Sequence, residues 1–491
     1  MKFIKNNFVL FLIMLLLFGF AGCKKNNNND KIETLNIYTV NDFHGSLEEE
    51  SNAKGISRIA GYIKEQISGK EESSLILSAG DMFQGSAISN YNHGRTVLDL
   101  MNKIGFNAMT IGNHEFDWGF ETIQAYRDKD EENGEANFDF LACNIIDKRT
   151  GLLPAYIEPY TIIERKNLKI GIIGYIGYGQ ENDIQKSCIE NYYFDEPVEL
   201  VRQYSYYLRN NEECNVIIAM GHEGSSTVNR QLANLEGLYR IDGIINGHTH
   251  SVYNDTYRRS DGVVIPCIQS GSAGSHVGVL SLTIDPNTNE VIGGDSFNKQ
   301  MSSRVNKDSE TETVVQNLIT ETEPIFGRVL CTAGKQIDRN LGAKFASSAL
   351  MKYNEADVAF INLGGIRANA FPISNNEKVT VKKVYQIVPF DNTAVTCSLS
   401  GFYIRNMLNG NDLVVSSNVT FNNNNYYING ELIDDDKMYK VATINFVYEN
   451  TSYNFKYATD TNYTEILFRD ILNNVLEDFG KNNIKWMGDI N

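Results

Sequence analysis

Short, β-branched apolar runs recur through the first half of the chain, and each stops abruptly at glycine and polar residues. Leu35 to Val40 is the first; Leu75 to Leu77, Ala108 to Ile111, Ile170 to Ile173, Val216 to Met220 and Ile241 to Ile245 follow the same form. Their length and residue types fit buried strands. Helical stretches such as Gly55 to Ile67 and Thr96 to Ile104 lie between them. Alternation of this kind favours the α/β class. Sheets of that class gather ligand groups just past the carboxyl ends of their strands.

A chain of 491 residues exceeds a single core, so two or three domains are expected. Val277 to Ile292 reads as closing strands around a turn at Asp285 to Asn289. Lys307 to Ile325 is charged, lacks glycine and reads as a helix suited to linking two domains. A second α/β pattern begins near Arg328. It has a helix at Ala343 to Leu350, a strand at Val358 to Ile361 and a hairpin turn at Asn422 to Asn425.

The residues that end the apolar runs are chemically unusual. They form five clusters: Asn41 to Gly45, Gly80-Asp81, Gly112 to Asp117, Gly221 to Glu223 and Asn246 to His250. Five of the seven histidines of the chain fall within them. On extended backbone, residues i and i+2 point to one side, so Asp42 with His44, and His248 with His250, can each present two ligands together. The mixture of imidazole, carboxylate and amide oxygen suits zinc, manganese, iron or similar ions, and not a cysteine-type structural zinc site. Asp42, His44, Asp81, Asn113, His222, His248 and His250 are more ligands than one ion needs. They suit two divalent ions sharing a bridging carboxylate. Glu115 and Glu223 read as solvated or capping residues, and Asp99 and Asp139 as surface charges.

The first residues read as export machinery. Lys2 and Lys5 precede an apolar stretch from Phe8 to Phe20, too short to span a bilayer comfortably, which reads as a signal peptide over residues 1–22. Phe20-Ala21-Gly22-Cys23 resembles a lipobox. It implies acylation of Cys23, a polar tether to residue 33, and an exported, membrane-anchored lipoprotein, periplasmic or at the cell surface. The net charge of −17 argues against binding of nucleic-acid polymers. The six later cysteines are scattered, and buried free thiols are expected.

With its polar clusters in this order, the chain resembles the calcineurin-like metallophosphoesterases. With its second half included, it resembles the bacterial 5′-nucleotidases. The resemblance implies a four-layer αββα metallophosphoesterase domain over residues 34–304, a linker helix at 305–327, and a C-terminal α/β substrate domain at 328–491. It implies that Asp42, His44 and His250 bind one ion, that Asn113, His222 and His248 bind the other, and that Asp81 bridges them. It also implies a catalytic dyad of His114 and Asp117. The implied reaction is hydrolysis of nucleotide phosphate esters by a metal-activated water, releasing nucleoside and phosphate. Alternatives within the resemblance are a 2′,3′-cyclic-nucleotide phosphodiesterase and a UDP-sugar hydrolase. The alternative outside enzymology is a nucleotide-binding surface lipoprotein.

Substrate recognition is implied for the second half. Asn362 to Arg367 forms a glycine turn beside a cation, and the family signature it resembles makes Arg367 a substrate contact. Phe390 and Phe446 match two aromatics that clamp the nucleobase, while Asn362 and Asn392 match polar contacts. Arg339 stands near Asn340-Leu341-Gly342, at a shortened spacing from further family arginines. The segment Glu449 to Phe455 has no aspartate where the family places a ribose contact, and Asp391 stands where glycine is usual. The resemblance also implies rotation between the two domains, with Lys307 to Ile325 as the hinge.

Overall fold

The computed structural model describes residues 31–50, 53–130, 132–410 and 413–490. The signal-peptide and Cys23 readings lie outside them. Among the described residues, twelve strands make up the two large sheets of the first part: β1 (Thr34–Val40), β2 (Ser74–Ser78), β3 (Ala108–Thr110), β4 (Asp139–Leu141), β5 (Tyr160–Arg165), β6 (Leu168–Ile176), β7 (Val216–His222), β8 (Gly243–Asn246), β9 (Val252–Arg258), β10 (Val264–Ser270), β11 (His276–Ile284) and β12 (Val291–Gln300). They build two six-stranded sheets, ordered β12-β11-β1-β2-β3-β4 and β9-β10-β8-β7-β6-β5. In the first, β1 to β4 run parallel. In the second, β6, β7, β8 and β10 do.

The two sheets stack on an aliphatic core. Leu35, Ile37, Leu75 and Leu77 of one sheet share it with Ile170, Ile172, Val216 and Ile218 of the other. The opposite face of each sheet is covered by helices. Helix α1 (Ile56–Ile67) buries Ile56, Ile59, Ala60 and Ile63, an i, i+3, i+4, i+7 stripe. Helix α2 (Arg95–Ile104) lies on the same side and ends at Gly105, whose φ of 93° few other residues tolerate. Helix α3 (Pro197–Asn210) covers the second sheet with Val201 and Leu208. The result is a four-layer αββα unit, and its strands read as unbroken apolar runs because both faces are buried.

Helix α4 (Ser309–Phe326) leads into the second part, with Asp308 accepting from the Thr311 N–H at its start. Helix α5 (Arg339–Tyr353), helix α6 (Val381–Ile387) and helix α7 (Phe468–Lys481) pack around a five-stranded sheet. Its strands are β13 (Val358–Asn362), β14 (Thr393–Ser400), β15 (Leu413–Val415), β16 (Met438–Ile444) and β17 (Thr459–Leu467), in the order β15-β13-β16-β14-β17. The asparagine hairpin forms as expected. Asn423 and Asn424, with φ of 48° and 59°, supply the left-handed pair that a two-residue turn requires. The six cysteines among the described residues are free thiols, five of them buried. Among the described residues, no helix is long and apolar enough to cross a membrane.

Candidate metal centre and substrate cleft

All seven candidate ligands converge at the carboxyl ends of strands from both sheets. Asp42 follows β1, Asp81 follows β2, Asn113 follows β3, His222 closes β7, and His248 and His250 follow β8. Asp42, His44 and His250 present ligand atoms within 4.8 Å of one another, and so do Asp42, Asp81 and His222. Asp81 Oδ2 lies 3.2 Å from His222 Nε2 and 3.9 Å from His44 Nε2. Asn113 Oδ1 lies 3.1 Å from both His222 Nε2 and His248 Nδ1. The cluster is graded: Asp42, Asp81, Asn113 and His222 are buried, whereas His250 is exposed.

The local backbone corrects one expectation. The ligand pairs meet on turns and not on pleated extended chain. Asp42, His44, Asp81, His248 and His250 all have positive φ, between 48° and 74°. Non-glycine residues rarely adopt that region, and such strain concentrates at functional sites. Glycine beside the ligands adds clearance as well as turn, Gly45 and Gly80 having φ of 59° and 87°. A Cβ on Gly112 would collide with the Asp81 carboxylate, and one on Gly80 would stand 2.9 Å from His222 Nδ1.

Charge and tautomer fit this donor set to divalent cations. The His222 Nδ1–H donates to the Ala79 carbonyl at 2.7 Å, and that of His44 to the Gln84 carbonyl at 3.1 Å. Each carbonyl fixes the tautomer that turns an Nε2 lone pair into the cluster. Burial pushes Asp42 up to about 7, with His222 opposing and Asp81 adding to the rise. Burial opposes charge on His222, yet Asp81, Asp42 and the Ala79 carbonyl raise it to about 10. His248 and His250 fall to about 4 as the protein packed around the rim displaces water from their rings, with neighbouring positive groups, His222 and His114 among them, adding to the fall. Buried carboxylates gathered with imidazoles, of which His248 and His250 disfavour a proton, match the chemistry of a divalent metal site.

Of its two expected roles, solvated or capping, Glu115 takes the second, accepting from the Gly112 N–H at the start of its helical turn, and it does so away from solvent. It is fully buried, and its carboxylate accepts from the Asp81, Met82 and Gly112 N–H groups at 2.8 to 2.9 Å. Burial and then the Asp81 charge push it up to about 7, against the pull of those donors. Glu223 is local as expected, accepting from the Ser225 N–H. Asp99 is exposed beside Arg95, whereas Asp139 is half-buried between Arg127 and Thr161.

The cleft beside the cluster joins both halves of the molecule. Its volume is about 420 Å³, and its walls include Asp81, Asn113, His114, Asp117 and His248 from the first part. Asn362, Arg367, Phe390, Asn392 and Phe446 come from the second. His114 Nδ1 lies 2.7 Å from Asp117 Oδ2, and the charges of Asp117 and Asp81 outweigh burial to raise His114. The Phe390 ring stacks on His114 at 5.6 Å, and the Arg367 guanidinium lies 4.7 Å over Phe390. Arg339 stands apart from this cleft. Its Nε and Nη2 donate to the Ile366 and Leu363 carbonyls, bracing the glycine turn. It lines a second cavity of about 400 Å³, whose walls also include His44 and His250.

Comparison with known proteins agrees with this architecture. Residues 35–252 match the calcineurin-like phosphoesterase family, and residues 318–459 match the 5′-nucleotidase C-terminal domain. The two matches together span more than half of the chain. The chain belongs to the calcineurin-like phosphoesterases that carry a 5′-nucleotidase C-terminal domain. A snake venom 5′-nucleotidase from Crotalus adamanteus is 26% identical over 412 residues, covering 75% of this chain and 68% of the relative. An apyrase from Tabanus yao is 25% identical over 418 residues, covering 75% and 72%. The solved 5′-nucleotidase precursor of Thermus thermophilus superposes with a TM-score of 0.73 at 21% identity, over 91% of this chain and 96% of that one.

Several residues around the phosphoesterase centre escaped the sequence reading. Asp183 and Gln185 line the cleft, and Asp183 Oδ2 lies 3.8 Å from His248 Nε2. They follow β6, so the rule that found the other clusters applies to them as well. Asn41 fixes Asp42 from behind, donating to its Oδ2 at 2.6 Å and to the Gly271 carbonyl at 2.8 Å. In the 5′-nucleotidase domain, the Pro389 carbonyl receives Gln84 and Asn90 from the opposite domain. No local sequence pattern marks that contact.

Proposed function

We propose that this protein hydrolyses phosphate esters of nucleotides with two divalent ions, zinc, manganese or similar, releasing nucleoside and phosphate. One observation carries the reading. Arg367 and Phe390 of the 5′-nucleotidase domain lie against His114 of the phosphoesterase domain, so phosphate chemistry and base recognition share one cleft. Asp42, His44 and His250 would hold one ion and Asn113, His222 and His248 the other, with Asp81 between them. When bound, such ions supply Lewis-acid charge to a phosphoryl group and lower the pKa of water.

The protein's own groups do the rest. Asp117 orients the His114 ring, leaving Nε2 to hold a proton at a phosphoryl or leaving-group oxygen. Arg367, with Nη2 3.4 Å from that nitrogen, adds fixed positive charge where negative charge develops. Phe390 and Phe446 line the cleft as the aromatic surfaces a base would stack on, and Asn362 and Asn392 offer polar contacts. Intact metal and dyad residues favour turnover over mere nucleotide capture. The lipobox-like Phe20 to Cys23 supports an exported lipoprotein held at the membrane through Cys23. Mass spectrometry of the mature N-terminus tests that reading, and an unmodified Cys23 refutes it.

A second reading is favoured by the second cavity. It and the first share His250, Gly364 and Arg367. A phosphoryl group at that junction could carry substituents on two sides, as in a UDP-sugar. A phosphate-release panel of 5′-nucleotides, 2′,3′-cyclic nucleotides, UDP-sugars and simple esters, with added manganese or zinc, separates these readings. UDP-sugars are assayed with and without a second phosphatase. Absence of hydrolysis from every ester sinks the enzyme reading. Asp81→Asn is expected to abolish turnover and lower metal content by plasma emission analysis. Unchanged stoichiometry and rate would remove Asp81 from its bridging role.

A further inference from the structure

The loop Pro389 to Asn392 carries Phe390 but belongs to no helix or strand. An aromatic on such a loop recognises a base only if something fixes its orientation. From the first part of the molecule, Gln84 Nε2 and Asn90 Nδ2 reach the Pro389 carbonyl at 3.2 and 2.9 Å. The other side of the loop is held by the start of α7. The Phe468 N–H donates to the Asn392 carbonyl at 2.8 Å. The next residue, Arg469, sends Nη1 to the Pro389 and Phe390 carbonyls at 3.4 and 3.3 Å and Nη2 to Asp391 Oδ1 at 2.6 Å. Arg469 is only 4% exposed, and its guanidinium lies 3.9 Å over the Tyr385 ring of α6.

We infer that Arg469 is a specificity-determining positioning residue, which through Asp391 and two loop carbonyls sets the angle at which Phe390 meets a nucleobase. This rests on the reading of Phe390 as a base contact. The rigid planar fork of arginine can address two consecutive carbonyls and a carboxylate while stacking on a ring. Lysine keeps the charge but has no fork. Asp391 completes the arrangement, which gives its place in the loop a physical reason. Arg469 itself lines neither cavity, so its effect must pass through the loop.

Arg469→Lys, Phe390→Ala and the double variant, in the full chain with manganese, test this with a nucleotide the protein turns over and with a small aryl phosphate. Melting temperature checks folding, and Asp391→Asn replaces Arg469→Lys if that variant does not fold. Arg469→Lys is expected to raise KM for the nucleotide about tenfold, with kcat kept, and to change KM for the aryl phosphate by less than about twofold. In the Phe390→Ala background it should add nothing. Equal KM effects on both substrates, no effect on either, or full additivity with Phe390→Ala would overturn the inference. If Phe390→Ala itself leaves the nucleotide KM unchanged, the base-contact reading fails first, and the two failures are thereby distinguished.

Discussion

Glu115 sits between two ligand-bearing loops and ties them together with one carboxylate. Its three N–H partners belong to Asp81, Met82 and Gly112, so it fixes the turn on which Asp81 takes its positive φ. Removing a buried acceptor leaves its donors unsatisfied, at about 1–3 kcal/mol each. Glu115→Ala is therefore expected to destabilise the protein by several kcal/mol and to weaken metal binding. Glu115→Gln keeps one acceptor oxygen and should be intermediate. Denaturant titration and calorimetric metal titration check both, and wild-type metal affinity in a folded Glu115→Ala would refute the positioning role. The ligands themselves were legible in sequence because they are chemically rare and each follows an apolar run. Glu115 was legible only as a capping candidate; its burial and its reach to the Asp81 loop were not, since a glutamate is almost never fully buried and nothing in its neighbours says which way it points. The strained φ values were hidden for a similar reason. Residue type records what binds, whereas the turn that aims it is set by contacts from other loops.

Elements were easier to read than residues. Strands buried on both faces announce themselves as apolar runs, and α1, α2 and α4 begin and end within a few residues of their expected limits. The order of strands in the two sheets was beyond reach, because pairing partners lie far apart in sequence and no periodicity encodes them. Helix α4 also shows how one side chain anchors an element. Asp308 caps it through the Thr311 N–H and hydroxyl, and accepts from Lys64 of α1 at 2.9 Å. Burial opposes the charge, but Lys64 and Thr311 outweigh it and hold the Asp308 carboxyl down at about 2. A carboxyl lowered on folding stabilises fully above its unfolded value, near ~3.9, and loses that stabilisation as pH falls through the folded value. Asp308→Asn preserves the cap and removes the charge. It should lower Tm by a few degrees at pH 7, with the difference shrinking between about pH 4 and 2. A pH-independent difference would mean that the ion pair with Lys64 contributes nothing.

At the scale of the molecule, the cleft exists only because the two parts face each other. Sequence implied both parts and their chemistry, but not the contacts across the cleft, because the loops that meet there carry no shared pattern. Lys382 of α6 pairs with two glutamates across that junction. Its Nζ lies 2.6 Å from Glu48 and 3.0 Å from Glu50, and Gln386 one turn on donates to Glu50 at 2.8 Å. Burial works against the Lys382 charge, yet Glu50 and Glu48 raise its pKa, so the pair favours the ammonium form. Partly exposed ion pairs are worth about 0.2–1 kcal/mol each and weaken with salt. Lys382→Met should therefore cost the facing arrangement about 1 kcal/mol, equivalent to an about fivefold smaller equilibrium constant for it. Because Arg367 and Phe390 reach His114 only in that arrangement, the loss should appear as an increase of up to about fivefold in nucleotide KM, with kcat and metal content retained. Raising the ionic strength to about 0.5 M should weaken the wild-type pair and narrow the gap between wild type and variant. Steady-state kinetics at two salt concentrations decide the matter. A KM unchanged by Lys382→Met at low salt would show that the hydrogen bonds from Gln84, Asn90 and Gln386 hold the parts together without it.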